Sequence, residues 1–413
     1  MIRVLHLVDG RGRQACPTTA ALLAAGFTRA AGVESYAMVA TAAGVDRMLA
    51  GLGVSGPRVE PISLPAWGGA WGYGTLRRRL AQLHRASGWP GAFDVVHAWS
   101  VGSMALGTLA LRGTARVLTL TSPPTRREVA WLQAMRSAPG RWAALPISST
   151  LQRELASGGI PPEEAPVLRP AIDLGLVRHA ERSALRKGWG IEPALDRRTR
   201  VLALCSDPPG QADALEPLMA VILANQLTEG RGVHLRLLVH PDQRQRAQAQ
   251  SLLRQADRER YLICDPRLES PWSVLPGCDG AIALDEPASL RNLTGEPTGA
   301  GGLSLLWAMA SNLTLLGEAA YAVSEVVENR HSGLLFQPGQ TRALVQRLLE
   351  IALDDQLAWK LRDSARHEAY SFFSPQRYAR QLTEVYRQLV AGEPLTVAPL
   401  EATAGIRFEG VRM

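Results

Sequence analysis

The sequence predicts an α/β protein made of two doubly wound halves in series, and three observations carry that prediction. Short β-branched runs alternate with segments of helical spacing along most of the 413 residues. The alternation weakens at one polar passage punctuated by glycine and proline, "RKGWGIEPALDRRTR", and restarts after it. The chain is also too long for one ordinary hydrophobic core and suits two domains of common size.

Taken in order, "IRVLHLV" is a strand ended by the loop "DGRGR", and "TTAALLAAGFTRAAG" follows with helical spacing. "ESYAMVAT" and the weaker "RVEPIS" are the next strands. A basic helix near "YGTLRRRLAQLHRA" leads to the strand "FDVVHAWS", an alanine-rich helix, the strand "RVLTLTS", another helical segment and "ALPISS". Strands and helices in alternation imply a parallel sheet covered on both faces. After the break, "RVLALCS", "HLRLLVH", "YLICDP", "GAIALDE", "NLTLLGE" and "SGLLFQPG" are strands, with helices expected at 212–227, 243–256, 302–311 and 341–353. A last helix runs through "FFSPQRYARQLTEVYRQLV", with Ser374 as N-cap and Pro375 at its first position. The expected organisation is an N-terminal Rossmann-like domain over 1–180, a linker over 181–199, a second Rossmann-like domain over 200–365, a helix crossing back over 366–391 and a tail over 392–413. A cleft is expected between the carboxyl ends of the two sets of strands.

Composition narrows the function classes. A hydrophobic fraction of 46% with 20% charged residues is that of a soluble globular protein. The formal charge of +7 comes almost wholly from arginine, with lysine only at Lys187 and Lys360, and the arginines are spread along the chain. A solvated basic surface explains this better than a nucleic-acid site, while peripheral contact with an anionic membrane face stays open. Cys16, Cys205, Cys264 and Cys278 show no CxxC pairing and no histidine at zinc spacing, so neither a metal knuckle nor a disulfide scaffold is expected, and a reducing cytoplasm is. No metal and no cofactor are expected. No apolar run approaches the ~20 residues of a membrane span.

The stretch "GEPTGAGGLSLLWAMASNLTLLGEAAY" raises the question of a phosphate cradle. Gly299, Gly301 and Gly302 precede an apolar helix, where free backbone N–H groups at the positive helix end can bind phosphate. A tight turn packing a buried helix accounts for the same glycines.

Several segments, in order, resemble the GT-B glycosyltransferases, and in particular the large family four. "FDVVHAWS" is similar to that family's D-v-v-H-a-H, and "ISSTLQRELASGGIPPEEAPVLRPAIDL" to its serine, amphipathic helix and v-i-x-N-G-v-D. "CDGAIAL", "LSLLWAMASNLTLLGE" and "SEVVENRHSGLLFQPG" resemble a-D-v-x-v-x-P-S, l-x-l-l-E-A-M-A-x-G-x-P-v-v-a and p-E-v-v-x-d-g-x-x-G-l-L-v-x-p-g-d. The resemblance covers most of the chain and implies the GT-B fold, a nucleotide-sugar donor and a glycan or lipid acceptor.

It also marks departures at the donor site. The two glutamates of the family's E-x7-E motif fall at Gly299 and Trp307. An indole has one donor and no acceptor, so Trp307 cannot hold ribose hydroxyls as a glutamate does. The family's arginine and lysine, which meet the departing diphosphate, fall at Ser206 and Gln211; one such donor is typically worth about 3 kcal/mol or more of transition-state stabilisation. The glycine loop keeps Gly10 and Gly12 at altered spacing. A candidate catalytic histidine is replaced by Thr121 and Ser122, and small phosphate-facing residues by Tyr321 and Ala322. Asp94, His97, Asp173, Asp279, Glu325 and Gly333 persist.

His97, on a strand aimed at the cleft, is either a ligand contact or a histidine satisfied by backbone partners. Glu325 opens a helix, where the dipole favours a carboxylate with or without a ligand. The long segment "DEPASLRNLTGEPTG" can bring Asp285, Glu286, Arg291 or Glu296 over the cleft, which offers a rebuilt donor site. Trp67, Trp71, Trp89 and Trp99 are sugar-stacking candidates or packed loop residues. The functional expectation is a glycosyltransferase-like protein with an altered donor site. Its rivals are a non-catalytic GT-B binding or scaffold protein and a nucleotide-binding regulator.

Overall fold

The computed structural model describes residues 1–10, 24, 26–28, 31–41, 58–62, 70–86, 92–111, 113–121, 124–137, 141–172, 174–175, 177, 181–205, 214–240, 261–269, 271–284, 302–319 and 323–397. The chain forms two compact units, Met1–Ile172 with Phe372–Met413, and Asp173–Ser371.

In the first unit the elements are β1 (Ile2–Gly10), β2 (Val33–Thr41), β3 (Arg58–Ile62), α1 (Ala70–Ala86), β4 (Val95–Ala98), α2 (Val101–Ala110), β5 (Ala115–Leu120), α3 (Arg126–Arg136), β6 (Trp142–Pro146) and α4 (Ser149–Ser157). The sheet is wholly parallel in the order β3-β2-β1-β4-β5-β6. This is a doubly wound order, with its reversal between β1 and β4. Leu5 and Leu7 pack with Tyr36, Met38, Leu76 and Val96 on one face. The two-residue period of a strand then sends His6 and His97 to the other. Helix starts follow local chemistry: Ser100 and Ser103 form a capping box on α2, as Thr125 and Glu128 do on α3.

The second unit contains α5 (Arg182–Gly188), β7 (Thr199–Cys205), α6 (Leu215–Leu227), β8 (His234–Val239), β9 (Leu262–Cys264), β10 (Gly280–Ala283), α7 (Gly302–Ala310), β11 (Thr314–Glu318), α8 (Val323–Val326), β12 (Leu334–Phe336), α9 (Thr341–Leu353) and α10 (Asp355–Phe372). Its sheet is parallel in the order β12-β11-β10-β7-β8-β9, the same winding repeated, with the reversal between β7 and β10. Leu202, Leu237, Ile282, Leu316 and Leu334 bury one sheet face against α6 and α9. At Gly280 an added Cβ would lie 2.8 Å from the Thr314 carbonyl oxygen and 2.8 Å from Leu202 Cδ2. Since the carbonyl is fixed by the sheet, Gly280→Ala is expected to cost about 1–3 kcal/mol, read as a lowered denaturation midpoint at unchanged slope.

The passage expected as a linker, 181–199, is folded into this unit. Arg186 is almost fully buried in α5 and donates to Asp279 Oδ2 at 2.9 Å, to the Asp196 carboxylate, and to the carbonyls of Gly277 at 3.2 Å and Thr199. Trp189 is buried as well, its indole N–H donating to Asp265 at 2.9 Å. One buried arginine thus ties a polar passage to β7 and β10, a link that composition does not reveal.

The segment 366–391, expected as one crossing helix, is divided. α10 ends at Phe372, and α11 (Pro375–Ala391) starts afresh with Ser374 extended and its side chain accepting from the Arg377 N–H. Proline cannot donate the next helical bond and biases the residue before it away from helix, hence the break. α11 buries Leu382, Val385, Tyr386 and Leu389 within the first unit. Its buried Arg377 donates to the carbonyls of Arg169 and Pro170, and Arg141 donates to those of Leu389 and Val390.

Candidate functional site

Doubly wound sheets bind ligands beyond the carboxyl ends of their strands, at the point where strand order reverses. In the first unit Gly10 closes β1 at that point, and Thr121, half-buried, follows β5. Gly12 and Ser122 lie outside the described residues. His97 is fully buried, and its side chain is enclosed by protein.

Both ring nitrogens of His97 have side-chain partners rather than backbone ones. Nδ1 lies 2.6 Å from the Tyr386 hydroxyl of α11, and Nε2 lies 2.7 Å from Thr119 Oγ1 on β5. One nitrogen donates and the other accepts, so the ring is neutral and the two hydroxyls take complementary roles. Trp99 stacks on His97 with centroids 4.7 Å apart, and its indole N–H donates to His6 Nδ1 at 3.3 Å. Neutral His6 therefore carries its hydrogen on Nε2, which is buried without a hydrogen-bond partner among the described residues. Burial lowers His6 to about 3 and, with His6 adding a like charge, holds His97 well below 6.5. The arrangement is a hydrogen-bonded clamp between the sheet and α11 and offers no free nitrogen of His97 to a ligand. His6, Thr119 and Tyr386 were not singled out in the sequence. The shared register of His6 and His97 on neighbouring strands is the signal that marks their pairing, whereas Tyr386 is 289 residues from His97.

In the second unit the candidate donor elements follow β7, β10 and β11. Ser206 and Gln211, the loop 285–296 with Glu296, and Gly299 and Gly301 lie outside the described residues, as do Tyr321 and Ala322. Gly302 is the first residue of α7. Trp307, near the middle of that nine-residue helix, is 3% exposed, and its ring lies 5.0 Å from that of Trp272 at a tilt of 49°. Leu305, Leu306, Ala308, Met309 and Ala310 are buried with it. α7 stops at Asn312 in the left-handed conformation (φ 60°), with the Leu313 N–H returned to the Ala308 carbonyl. This is the usual way to satisfy the last carbonyls of a helix. Glu325 is half-buried in α8, a single turn.

No protein-family model matches the chain, and no curated protein does. Solved structures do. The Anabaena protein HepE, in complex with UDP and glucose, superposes with a TM-score of 0.71 at 16% identity, covering 94% of this chain and 100% of that one. The fold is GT-B. A glycosyltransferase from Rickettsia africae matches with a TM-score of 0.70 at 13% identity, over 94% of this chain and 98% of that one. Sucrose-phosphate synthase from Thermosynechococcus elongatus matches at 0.67 and 13%, over 95% and 100%. At these identities the likeness establishes the GT-B architecture of two parallel-sheet α/β units and leaves the chemistry to the residues themselves.

Proposed function

We propose that the chain is a glycosyltransferase-like protein of family-four ancestry whose donor site has been altered, with a nucleotide-sugar as its ligand class. The observation that carries this reading is Trp307, buried against Trp272 on the helix where the resemblance expects a ribose-binding glutamate. The solved neighbour HepE holds UDP and glucose, which favours the same ligand class. If the protein transfers sugar, backbone amides after Gly299 hold the diphosphate, and Glu325 or Glu296 provides the acidic contact. The acceptor is a glycan or lipid, and the work is done in the cytoplasm or at the inner membrane face. Among the described residues no helix is long and apolar enough to cross a membrane.

The burial of Trp307 also favours a second reading, a GT-B scaffold or binding protein that has lost donor chemistry. Calorimetric titration with UDP- and GDP-sugars, followed by assay of donor hydrolysis, separates the two. Binding is expected to be weak, because the missing ribose and diphosphate contacts are charge-assisted hydrogen bonds, the strongest kind. Weak binding with measurable hydrolysis supports the altered enzyme, and no turnover with any donor supports the scaffold. Low-micromolar affinity for one of these sugars overturns the loss of donor contacts.

A further inference from the structure

The turn that enters β12 carries a separate cluster of ligating groups. Glu328 and His331 stand three residues apart on it, and Glu368 reaches it from α10. One ligand atom from each lies within 4.8 Å of the other two. His331 Nε2 and Glu368 Oε1 are 3.5 Å apart, long for an N–H···O bond, which centres near about 2.9 Å. Two ligands at about 2.1 Å from one tetrahedral ion stand about 3.4 Å apart. The spacing fits co-ligands of one ion as well as it fits an ion pair with a protonated imidazole.

Glu368 is 4% exposed, and the group of this cluster able to place a positive charge beside it is His331, at 3.5 Å. The arginine of the turn is committed elsewhere: Arg330 sits in the left-handed conformation (φ 64°) and pairs with Glu350 at 3.0 Å. The turn itself is held by the Glu328 carbonyl, which accepts from the N–H groups of His331 at 3.1 Å and Ser332 at 3.0 Å, and by Ser332 Oγ, which accepts from the Glu328 N–H at 3.0 Å. Glu328 and His331 are exposed, so the cluster opens to solvent on one side and an ion has a way in.

We propose that Glu328, His331 and Glu368 bind one divalent transition-metal ion of the zinc class, with water completing the coordination. One imidazole and two carboxylates are ligands that zinc accepts, and a set containing nitrogen disfavours magnesium. The exposed Glu328 side chain has the freedom to close the remaining distance. The ion would tie α10 to the β12 turn within the second unit. The turn lies at the amino-terminal edge of its sheet, whereas α7 and α8 follow the carboxyl ends of strands. The expectation of no metal from the cysteine and histidine spacing did not reach this set, because Glu368 is distant in sequence from the other two.

The test is calorimetric titration of the full chain with ZnCl2 and with MgCl2, with thermal unfolding followed in parallel. One equivalent of Zn2+ is expected to bind with a micromolar or tighter Kd and to raise Tm, while Mg2+ does neither. His331→Gln, at an exposed position, is expected to fold as the parent does and to weaken that equivalent at least tenfold. Glu328→Gln, also exposed, gives the same expectation without disturbing the core. Absence of a saturable one-equivalent event, or unchanged Zn2+ affinity in either variant, overturns the site.

Discussion

Replacing Trp307 by glutamate is expected to destabilise the second unit by about 4 kcal/mol or more, because it removes a buried indole and leaves a carboxylate among apolar groups. For a unit of this size that is a drop in Tm of about 10 °C. Trp307 is 3% exposed, its neighbours along α7 are buried, and Trp272 covers its ring. Trp307→Phe, which keeps an aromatic ring, should lose much less. A Trp307→Glu protein as stable as the parent would mean that the indole occupies a pocket still able to hold a polar group. The functional partner of this experiment combines Gly299→Glu and Trp307→Glu with Ser206→Arg and Gln211→Lys. Stable protein with recovered nucleotide-sugar turnover would identify a recently emptied donor site. A collapse caused by Trp307→Glu alone would identify a filled one, and this is the outcome the buried indole pair favours.

The second expected result is acid sensitivity centred on the histidine clamp of the first unit. His6 falls to about 3 and His97 well below 6.5, both mainly through burial, so the unfolded chain binds protons that the folded one refuses. The sign follows: this contribution is fully present above pH 6.5 and is lost as pH falls below it. His6 gives a slope of about 1.4 kcal/mol per pH unit in that window, so lowering the pH to about 5 costs about 2 kcal/mol at that ring, and His97 acts in the same direction. Glu368 acts in the opposite sense in the second unit. Its folded value of about 7 lies above the ordinary 4.5, so its contribution is present below 4.5 and is lost as pH rises through 7. The measurement is therefore a difference. His6→Gln keeps an acceptor for the Trp99 N–H and removes one titrating ring, and the parent and variant are unfolded in denaturant at several pH values between about 5 and 7. The parent's stability should fall with acid more steeply than the variant's by about 1.4 kcal/mol per pH unit. Parallel pH profiles would refute the clamp's titration.

The alternation of apolar strands and helices determined the described strands of this protein, while the helix expected at 243–256 lies outside the described residues. Each strand proposed from the sequence has its counterpart in β1 to β12, because a run of β-branched residues and a turn are local properties that a short window holds in full. Ser374 and Pro375 likewise mark the start of α11 by themselves, since an N-cap and an N1 proline act within one helical turn. The tertiary structure decided matters that depend on partners distant in sequence. His97 has the same residue type and strand position whether it serves a ligand or a clamp, and only the arrival of Tyr386 from α11 gives its Nδ1 a protein partner. The polar passage at 181–199 looks solvated until Arg186 is seen reaching Asp279, and a buried charge needs such partners to be tolerable. Gly280 reads as an ordinary strand residue, yet the closeness of the Thr314 carbonyl is what excludes a side chain there. Local patterns specify which element forms; burial and long-range hydrogen bonding specify what each side chain in it does.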